Sequence, residues 1–152
     1  MNTLTIREVD IDDKSDLQEF ARHYAEATAR RREGPPPTAT DVIRNMSWLR
    51  YNRDRVFCLF AEDDDGDVLA HYLLYFDDFS PTKTCFVKSL WIDASSVRRD
   101  LAERFDTLGE DWAREKGARK VVSRVPTDNP RLIEMNSLQG FRAVKLEMEK
   151  DL

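Results

Sequence analysis

The fold of this chain is decided by residues 84–117, which read TCFVKSLWIDASSVRRDLAERFDTLGEDWAREKG. An apolar strand-like run, Thr84–Asp93, is followed by a short polar turn at residues 94–96. Apolar residues then recur at the spacing of one helix face, at Val97, Leu101, Phe105, Leu108 and Trp112. We predict a strand over 84–93 and a helix from Val97 to Lys116. Gly117 closes that helix, because glycine tolerates left-handed backbone.

The strand-to-helix junction in this segment has a chemical consequence. A helix N-terminus presents several unpaired backbone N–H groups to one point, which favours a phosphate or pyrophosphate. An ordinary structural junction has the same sequence pattern, so the segment alone leaves both interpretations open.

Length and composition indicate one globular domain, residues 1–152. Hydrophobic residues make up 41% and charged residues 35% of the chain, a balance that allows a sizeable core. The net charge is −5 and the pI about 5.1, which disfavours binding to nucleic acid or to an anionic membrane.

The sequence also predicts the cellular location of the protein and the state of its cysteines. No signal peptide is recognisable at the start, and no apolar run approaches the ~18 residues of a membrane span. The protein is therefore expected to be cytoplasmic. Cys58 and Cys85 lie in apolar strand-like runs and are predicted to be buried free thiols. We expect no metal site.

Periodicity and turn residues predict the remaining elements. Ser15 and Gln18 resemble a capping box that opens a first helix, and Gly34–Pro37 forms a stiff connector. Asp65-Gly66 is a hairpin turn signal between two strands. The other predicted elements are a strand at Leu4–Ile6, a helix at 40–51, strands at 56–61, 68–76 and 120–125, a helix opened by Asn129-Pro130, and a last strand in which Val144, Leu146 and Met148 alternate with charged residues.

Three short motifs accompany this order of elements. The strand ends in Leu90-Trp91-Ile92-Asp93, residues 112–121 read WAREKGARKV, and Asn129 precedes Gly140-Phe141. Together with the order β-α-α-β-β-β-α-β-α-β, they resemble the GNAT superfamily of N-acetyltransferases. The resemblance covers nearly the whole chain and implies an α+β fold of three layers (α/β/α-like) with a mixed, mostly antiparallel central sheet.

The resemblance also implies a binding site for acetyl-CoA. Main-chain groups around Leu90, Trp91 and Ile92 would hold the pantetheine and the thioester, and Asn129 matches the family's C-terminal motif. The pyrophosphate loop of the family, (Q/R)-x-x-G-x-(G/A), falls here on Val97, Arg98, Arg99, Asp100, Leu101 and Ala102.

This loop departs from the family pattern, since only Ala102 conforms. Asp100 replaces a glycine and adds both a Cβ and a like charge beside the phosphates. It also suits the first turn of a helix without any ligand. Arg98 and Arg99 either grip phosphate, which guanidinium groups suit, or are solvated surface residues.

Catalytic groups depart from the family pattern as well. The tyrosine that protonates the departing sulfur is replaced by Asn136, which cannot donate a proton at neutral pH. A thiol of pKa ~8.5 leaves readily as thiolate, so a slower enzyme remains consistent with this change. Phe86 and Lys88 occupy the usual positions of a general base, and neither can serve. The candidates left open are Asp77, Asp78, Tyr75, His71, Ser123 and water.

The function implied by the resemblance is transfer of an acetyl group from acetyl-CoA to a primary amine of a small molecule or a protein. The alternative is a catalytically weak or inactive acyl-CoA-binding or protein-interaction module with the same fold. The partners expected are a coenzyme A thioester and an amine, without a membrane or nucleic acid. The sequence leaves a homodimer open.

Overall fold

The structure is a computed structural model that describes residues 3–93 and 98–152. Its strands and helices, in chain order, are β1 (Thr5–Glu8), α1 (Lys14–Arg31), α2 (Ala39–Tyr51), β2 (Val56–Glu62), β3 (Val68–Asp77), β4 (Thr84–Ile92), α3 (Arg98–Glu115), β5 (Lys120–Ser123) and α4 (Pro130–Leu138). These nine elements confirm the first nine of the predicted order.

The five strands form one mixed sheet in the order β1-β2-β3-β4-β5. The first three pairings are antiparallel, and β4 pairs with β5 in parallel. A parallel pair needs a crossover connection, which α3 supplies. The predicted mixed, mostly antiparallel sheet of an α+β fold is therefore confirmed.

Helices cover both faces of this sheet and make three layers. α1 and α2 pack on one face, which we call the α1 face, and α3 packs on the other, the α3 face. The buried core of the α1 face consists of Val9, Leu17, Phe20, Ala21, Leu49, Val56, Cys58, Phe60 and Leu73. That of the α3 face includes Phe57, Leu59, Tyr72, Leu74, Phe76, Cys85, Leu101 and Phe105.

Strand β2 separates the two cores, because its alternate side chains point to opposite faces and nearly all are buried. Cys58 and Cys85 are both buried and free, as predicted. They belong to different cores, on opposite sides of the sheet.

A network of charges joins α1 to the edge of the sheet. The Arg7 guanidinium donates to both carboxylate oxygens of Asp16, at 2.8 and 2.9 Å, and to Glu62 at 2.7 Å. A bidentate arginine–carboxylate pair is both strong and geometrically specific. It fixes the start of α1 against β1 and β2.

The predicted glycine positions at the turns were confirmed, whereas the predicted capping box of the first helix was wrong. Gly66 and Gly117 have the expected positive φ, +82° and +84°. However, the N-cap of α1 is Asp13, without a side-chain cap hydrogen bond, so the capping box at Ser15 was wrong. α2 has one instead, between Thr38 and Asp41.

Two further predictions were wrong. The predicted last strand is not formed, and residues 141–152 contain neither strand nor helix. Val144, Leu146 and Met148 are 68, 71 and 84% exposed, and within the described residues this segment pairs with no strand. Leu108, predicted to face inward, is 40% exposed on α3.

In the described chain, no helix combines the length and apolarity needed to cross a membrane.

Candidate functional site

Strand β4 has an unequal pair of neighbours, and this opens a gap in the sheet. Its pairing with β5 runs from Thr84 to Val87, which lies opposite Ser123. Its pairing with β3 continues to Ile92. Among the described residues, the second half of β4 therefore has no strand partner on the β5 side.

A β-bulge lies at the start of this gap. Leu73 is opposite Ser89 while the next residue, Leu74, is opposite Val87, so Lys88 is an extra residue in β4. Bulges commonly re-aim side chains next to functional sites. Here the bulge falls where the pairing with β5 ends.

The predicted ligand-binding residues of β4 are placed along this gap. Leu90 and Ile92 are half-buried and pack against the core of the α3 face. Trp91 lies on the α1 face, against His23 and His71. Since these side chains are occupied by packing, the groups of this segment that can meet a ligand are mainly in the backbone.

The predicted phosphate loop lies at the start of α3, shortly after β4 ends. Val97 falls outside the described residues, and Arg98 is the first residue of the helix. Arg99 is exposed and pairs with Glu103 at 3.2 Å, and Asp100 is exposed. Leu101 and Ala102 are buried, so their side chains serve the core.

Helix α4 brings Asn136 to the other side of the gap. Its Nδ2 donates to Oγ of Ser123, the last paired residue of β5, at 3.3 Å. Asn129 lies at the opposite end of α4, where its side chain accepts from the N–H of Leu132 at 3.2 Å. In this structure Asn129 thus acts as a helix cap.

Of the base candidates left open by sequence, the acidic pair lies far from the gap. Asp77 is opposite Thr84, and Asp78 pairs with Arg55 at 3.0 Å. Ser89 is five residues further along β4 than Thr84, which corresponds to ~17 Å of strand. Tyr75 packs against Trp48, opposite Phe86.

His71, by contrast, lies opposite Trp91 at the gap, and it belongs to a chain of three polar side chains. His23 Nδ1 and His71 Nδ1 are 2.5 Å apart, and His71 Nε2 is 2.6 Å from Ser89 Oγ. His71 and Ser89 are 0 and 2% exposed, whereas His23 is half-buried. The three residues come from β3, β4 and α1.

Two larger side chains complete the surroundings of this chain. The His23 ring meets Trp91 edge-on at a centroid distance of 4.7 Å. The Arg30 guanidinium also lies over the Trp91 ring, 5.7 Å from its centre. His23 and Arg30 lie seven residues apart in α1 and therefore on the same face of that helix.

Burial sets the protonation of both histidines. It lowers the pKa of His23 to about 4, with Arg22 and Arg30 acting in the same direction and Glu26 opposing them. The pKa of His71 is lowered well below 6.5, again chiefly by burial and then by His23 and Arg31. Both rings are therefore neutral at pH 7, and burial opposes their protonation.

Sequence reasoning missed His23. His23 lies one turn after Phe20, within the inward stripe of α1. His23 and His71 are the two histidines of the sequence. The inward position of one of only two histidines was the sequence signal that could have identified His23. The contact itself, between residues 48 apart in sequence, needed the fold.

Three carboxylates at the β2–β3 turn also converge. Ligand oxygens of Asp63, Asp65 and Asp67 lie within 4.8 Å of one another. Asp63 Oδ1 accepts the backbone N–H groups of the other two, which is the hydrogen bonding of a tight turn.

A family model for the acetyltransferase (GNAT) family matches residues 17–141. The chain therefore belongs to that family, and acyl transfer is its broad class of activity. Comparison with curated proteins gave no match.

Solved structures of acetyltransferases have the same fold. A Pyrococcus furiosus protein assigned as an acetyl transferase has a TM-score of 0.74 and 19% identity, covering 99% of this chain and 100% of that one. AAC(6')-Iy bound to a CoA-containing bisubstrate analog has a TM-score of 0.73 and 15% identity, covering 99 and 98%. An aminoglycoside acetyltransferase from an uncultured soil sample, bound to sisomicin, has a TM-score of 0.73 and 14% identity, covering 98 and 95%.

Proposed function

We propose that this protein transfers an acetyl group from acetyl-CoA to a primary amine of a small molecule or a protein. The observation that carries the proposal is the gap beside β4, where pairing with β5 ends at Val87 while β4 runs on to Ile92 and then leads into α3. Family membership supports the reaction class, and the CoA bound in related structures supports the donor.

On this proposal the donor lies along the gap. The N–H groups in the first turn of α3 bind the pyrophosphate, helped by Arg98 and Arg99. Main-chain N–H groups between Leu90 and Ile92 face the thioester carbonyl and stabilise the negative charge that develops on its oxygen. Asn136 can hydrogen-bond the departing sulfur, which leaves as a thiolate.

The acceptor amine approaches from the α1 face. Trp91 and the second half of α1 bound this approach, together with the connector between α1 and α2. A surface groove of ≈ 560 Å³ lies along the end of α1 and the connector, and its lining includes Glu26, Glu33 and Arg30. The groove carries both signs of charge, which suits an amine that also bears polar groups.

The proposal is tested first by binding and then by turnover. Titration calorimetry should detect acetyl-CoA, and ligand at ~100 times its Kd should stabilise the fold by ~2.7 kcal/mol. Thiol release is then followed across a panel of primary amines that includes polyamines, aminoglycosides and lysine peptides. Binding without thiol release from any amine would favour the non-enzymatic CoA-binding alternative, and lack of binding would exclude both.

A charge change at the phosphate loop sharpens this test. Asp100→Asn removes a carboxylate from the first turn of α3 and should tighten CoA binding several-fold. Asp111→Asn is the matched control, since it removes the same charge from the same helix ~16 Å further along, beyond the Debye length of ~8 Å. Equal effects of the two substitutions would show that CoA phosphates do not lie at the start of α3.

A further inference from the structure

The chain His23–His71–Ser89 is a polar feature of the α1 face that the proposed CoA site does not use. Buried polar groups are costly unless they are hydrogen-bonded. This chain of side chains crosses from α1 through β3 to the half of β4 that is not paired with β5. Such an arrangement, in which one titratable group is oriented by a second and the second by a third, is typical of an activated base.

The hydrogen bonds restrict the positions of the protons. Two imidazole Nδ1 atoms can bond only when one is protonated and the other is not. If His23 donates from Nδ1 to His71, then His71 carries its own proton on Nε2 and donates it to Ser89 Oγ. With that assignment, His23 Nε2 keeps a free lone pair.

Exposure decides which member of the chain can meet a ligand. His71 and Ser89 are fully enclosed, while His23 is half-buried beside Trp91. The charged groups around His23 are Arg22, Glu26 and Arg30 on α1, and His71 faces it from β3. His23 is therefore the least enclosed of the three residues.

We propose that His23 Nε2 accepts the proton of the acceptor amine, and that His71 and Ser89 are positioning residues that hold its ring. This inference rests on the proposed acetyl transfer and assigns the base that the sequence left open. An acceptor entering as the neutral amine forms the C–N bond with its lone pair. The C–S bond breaks, and its electron pair leaves on the CoA sulfur.

Water accepts the proton from His23 and supplies the proton that the thiolate takes up. The N–H proton moves to His23 Nε2, and the resulting imidazolium donates from Nδ1 to the neutral His71, a charge-assisted hydrogen bond. His23 then releases a proton to water, and the thiolate takes one from water. The chain returns to its starting state, and Asn136 has no proton to donate at any step.

The test compares two variants and a control for each, all at one fixed acceptor, the best amine of the panel. His23→Ala should lower kcat by roughly 10²–10⁴-fold, with the KM for the amine and the Kd for CoA changed less than about twofold. Added imidazole should restore activity to His23→Ala, because a diffusible base can occupy the place of the lost ring. Tyr24→Phe is the control: its half-buried phenol follows His23 in α1 and lies outside the chain of three.

A second variant addresses the positioning role without touching His23. Ser89→Ala removes the last hydrogen bond of the chain and should lower kcat by about tenfold, again with the Kd for CoA unchanged. Thr84→Val is its control, since Thr84 is a buried hydroxyl at the other end of β4 that bonds Thr82.

Several outcomes would overturn the inference while leaving the proposed function intact. These are an unchanged kcat in His23→Ala, a loss of activity that imidazole does not restore, and a change confined to KM or to the Kd for CoA. Wild-type protein that binds CoA but acetylates no amine would overturn both the inference and the proposed acetyl transfer, since no acceptor proton would then be transferred. Absence of CoA binding would remove the proposed function as well.

Discussion

The two faces of the sheet differ in what they bury. The α3 face is apolar almost throughout, with the Tyr72 ring stacked on Phe105 and the Phe57 ring on Trp112. The α1 face is just as well enclosed, yet it includes His71 and Ser89 among its fully buried side chains. The difference indicates that the α3 face mainly stabilises the fold, whereas the α1 face also holds groups suited to chemistry.

The largest effect is expected on the α3 face, at Phe105. This ring is fully buried, and Phe105→Ala should lower the free energy of unfolding by about 3–5 kcal/mol, as lost burial and a new cavity add. That is a large part of the 5–15 kcal/mol typical of a domain. Urea unfolding followed by circular dichroism measures it.

Leu108→Ala provides the comparison within α3. Leu108 is 40% exposed, so its loss should cost less than about 1 kcal/mol. Equal losses for the two substitutions would mean that α3 does not pack through Phe105, and the contrast between the two faces would then lack its basis.

These helix positions also show how far the sequence could predict the fold. Element order followed from periodicity and turn residues, because each depends on local spacing. The same spacing misjudged Leu108, and it predicted a strand at Val144–Met148 that is not formed. Alternation states only which side chains would share a face, and a strand also needs a neighbour to pair with, which local sequence does not specify.

The next effect concerns the ion network that holds α1 on the sheet. Asp16→Asn should lower the free energy of unfolding by about 1.5–3 kcal/mol, since it removes a charged acceptor from the bidentate bond to Arg7. Asp12→Asn is the control: its contact with Arg53 is 3.3 Å long and its side chain is 76% exposed, so the change should stay within about 0.5 kcal/mol.

The pH dependence of the Asp16 contribution has a definite sign. The hydrogen bond from Arg7 holds the pKa of Asp16 below its usual value. The stabilisation is therefore present at neutral pH and is lost as pH falls below the unfolded value near 3.9. An Asp16→Asn loss that was the same at pH 3 and pH 7 would contradict this.

The candidate site was less predictable than the fold. Leu90, Trp91 and Ile92 could be named as candidate residues from the strand-to-helix junction and the family resemblance, because the junction and the motif are each contiguous in sequence. The His23–His71 contact joins α1 to β3 across the sheet, and no spacing rule relates the two positions. Sequence could name His71 as one candidate among several, and the fold was needed to supply its partner.

The smallest effect expected is the acid sensitivity of the α1 face. Burial lowers the pKa of His23 to about 4 and that of His71 well below 6.5. Folding therefore opposes protonation, so stability is full above the unfolded pKa near 6.5 and declines as pH falls toward the folded values. Between pH 7 and 5.5 the wild-type free energy of unfolding should fall by on the order of 1 kcal/mol, after allowance for the partial exposure of His23.

Replacing one of the two titrating rings should remove part of that decline, since His71 still contributes. His23→Gln cannot take up a proton, so its free energy of unfolding should vary less between pH 7 and 5.5 than that of the wild type, measured by urea unfolding at each pH. Asp16 stays ionised over this range and does not contribute to the change. A decline as steep in His23→Gln as in the wild type would place the titrating group elsewhere, and the chemical distinction between the two faces would then rest on hydrogen bonding alone.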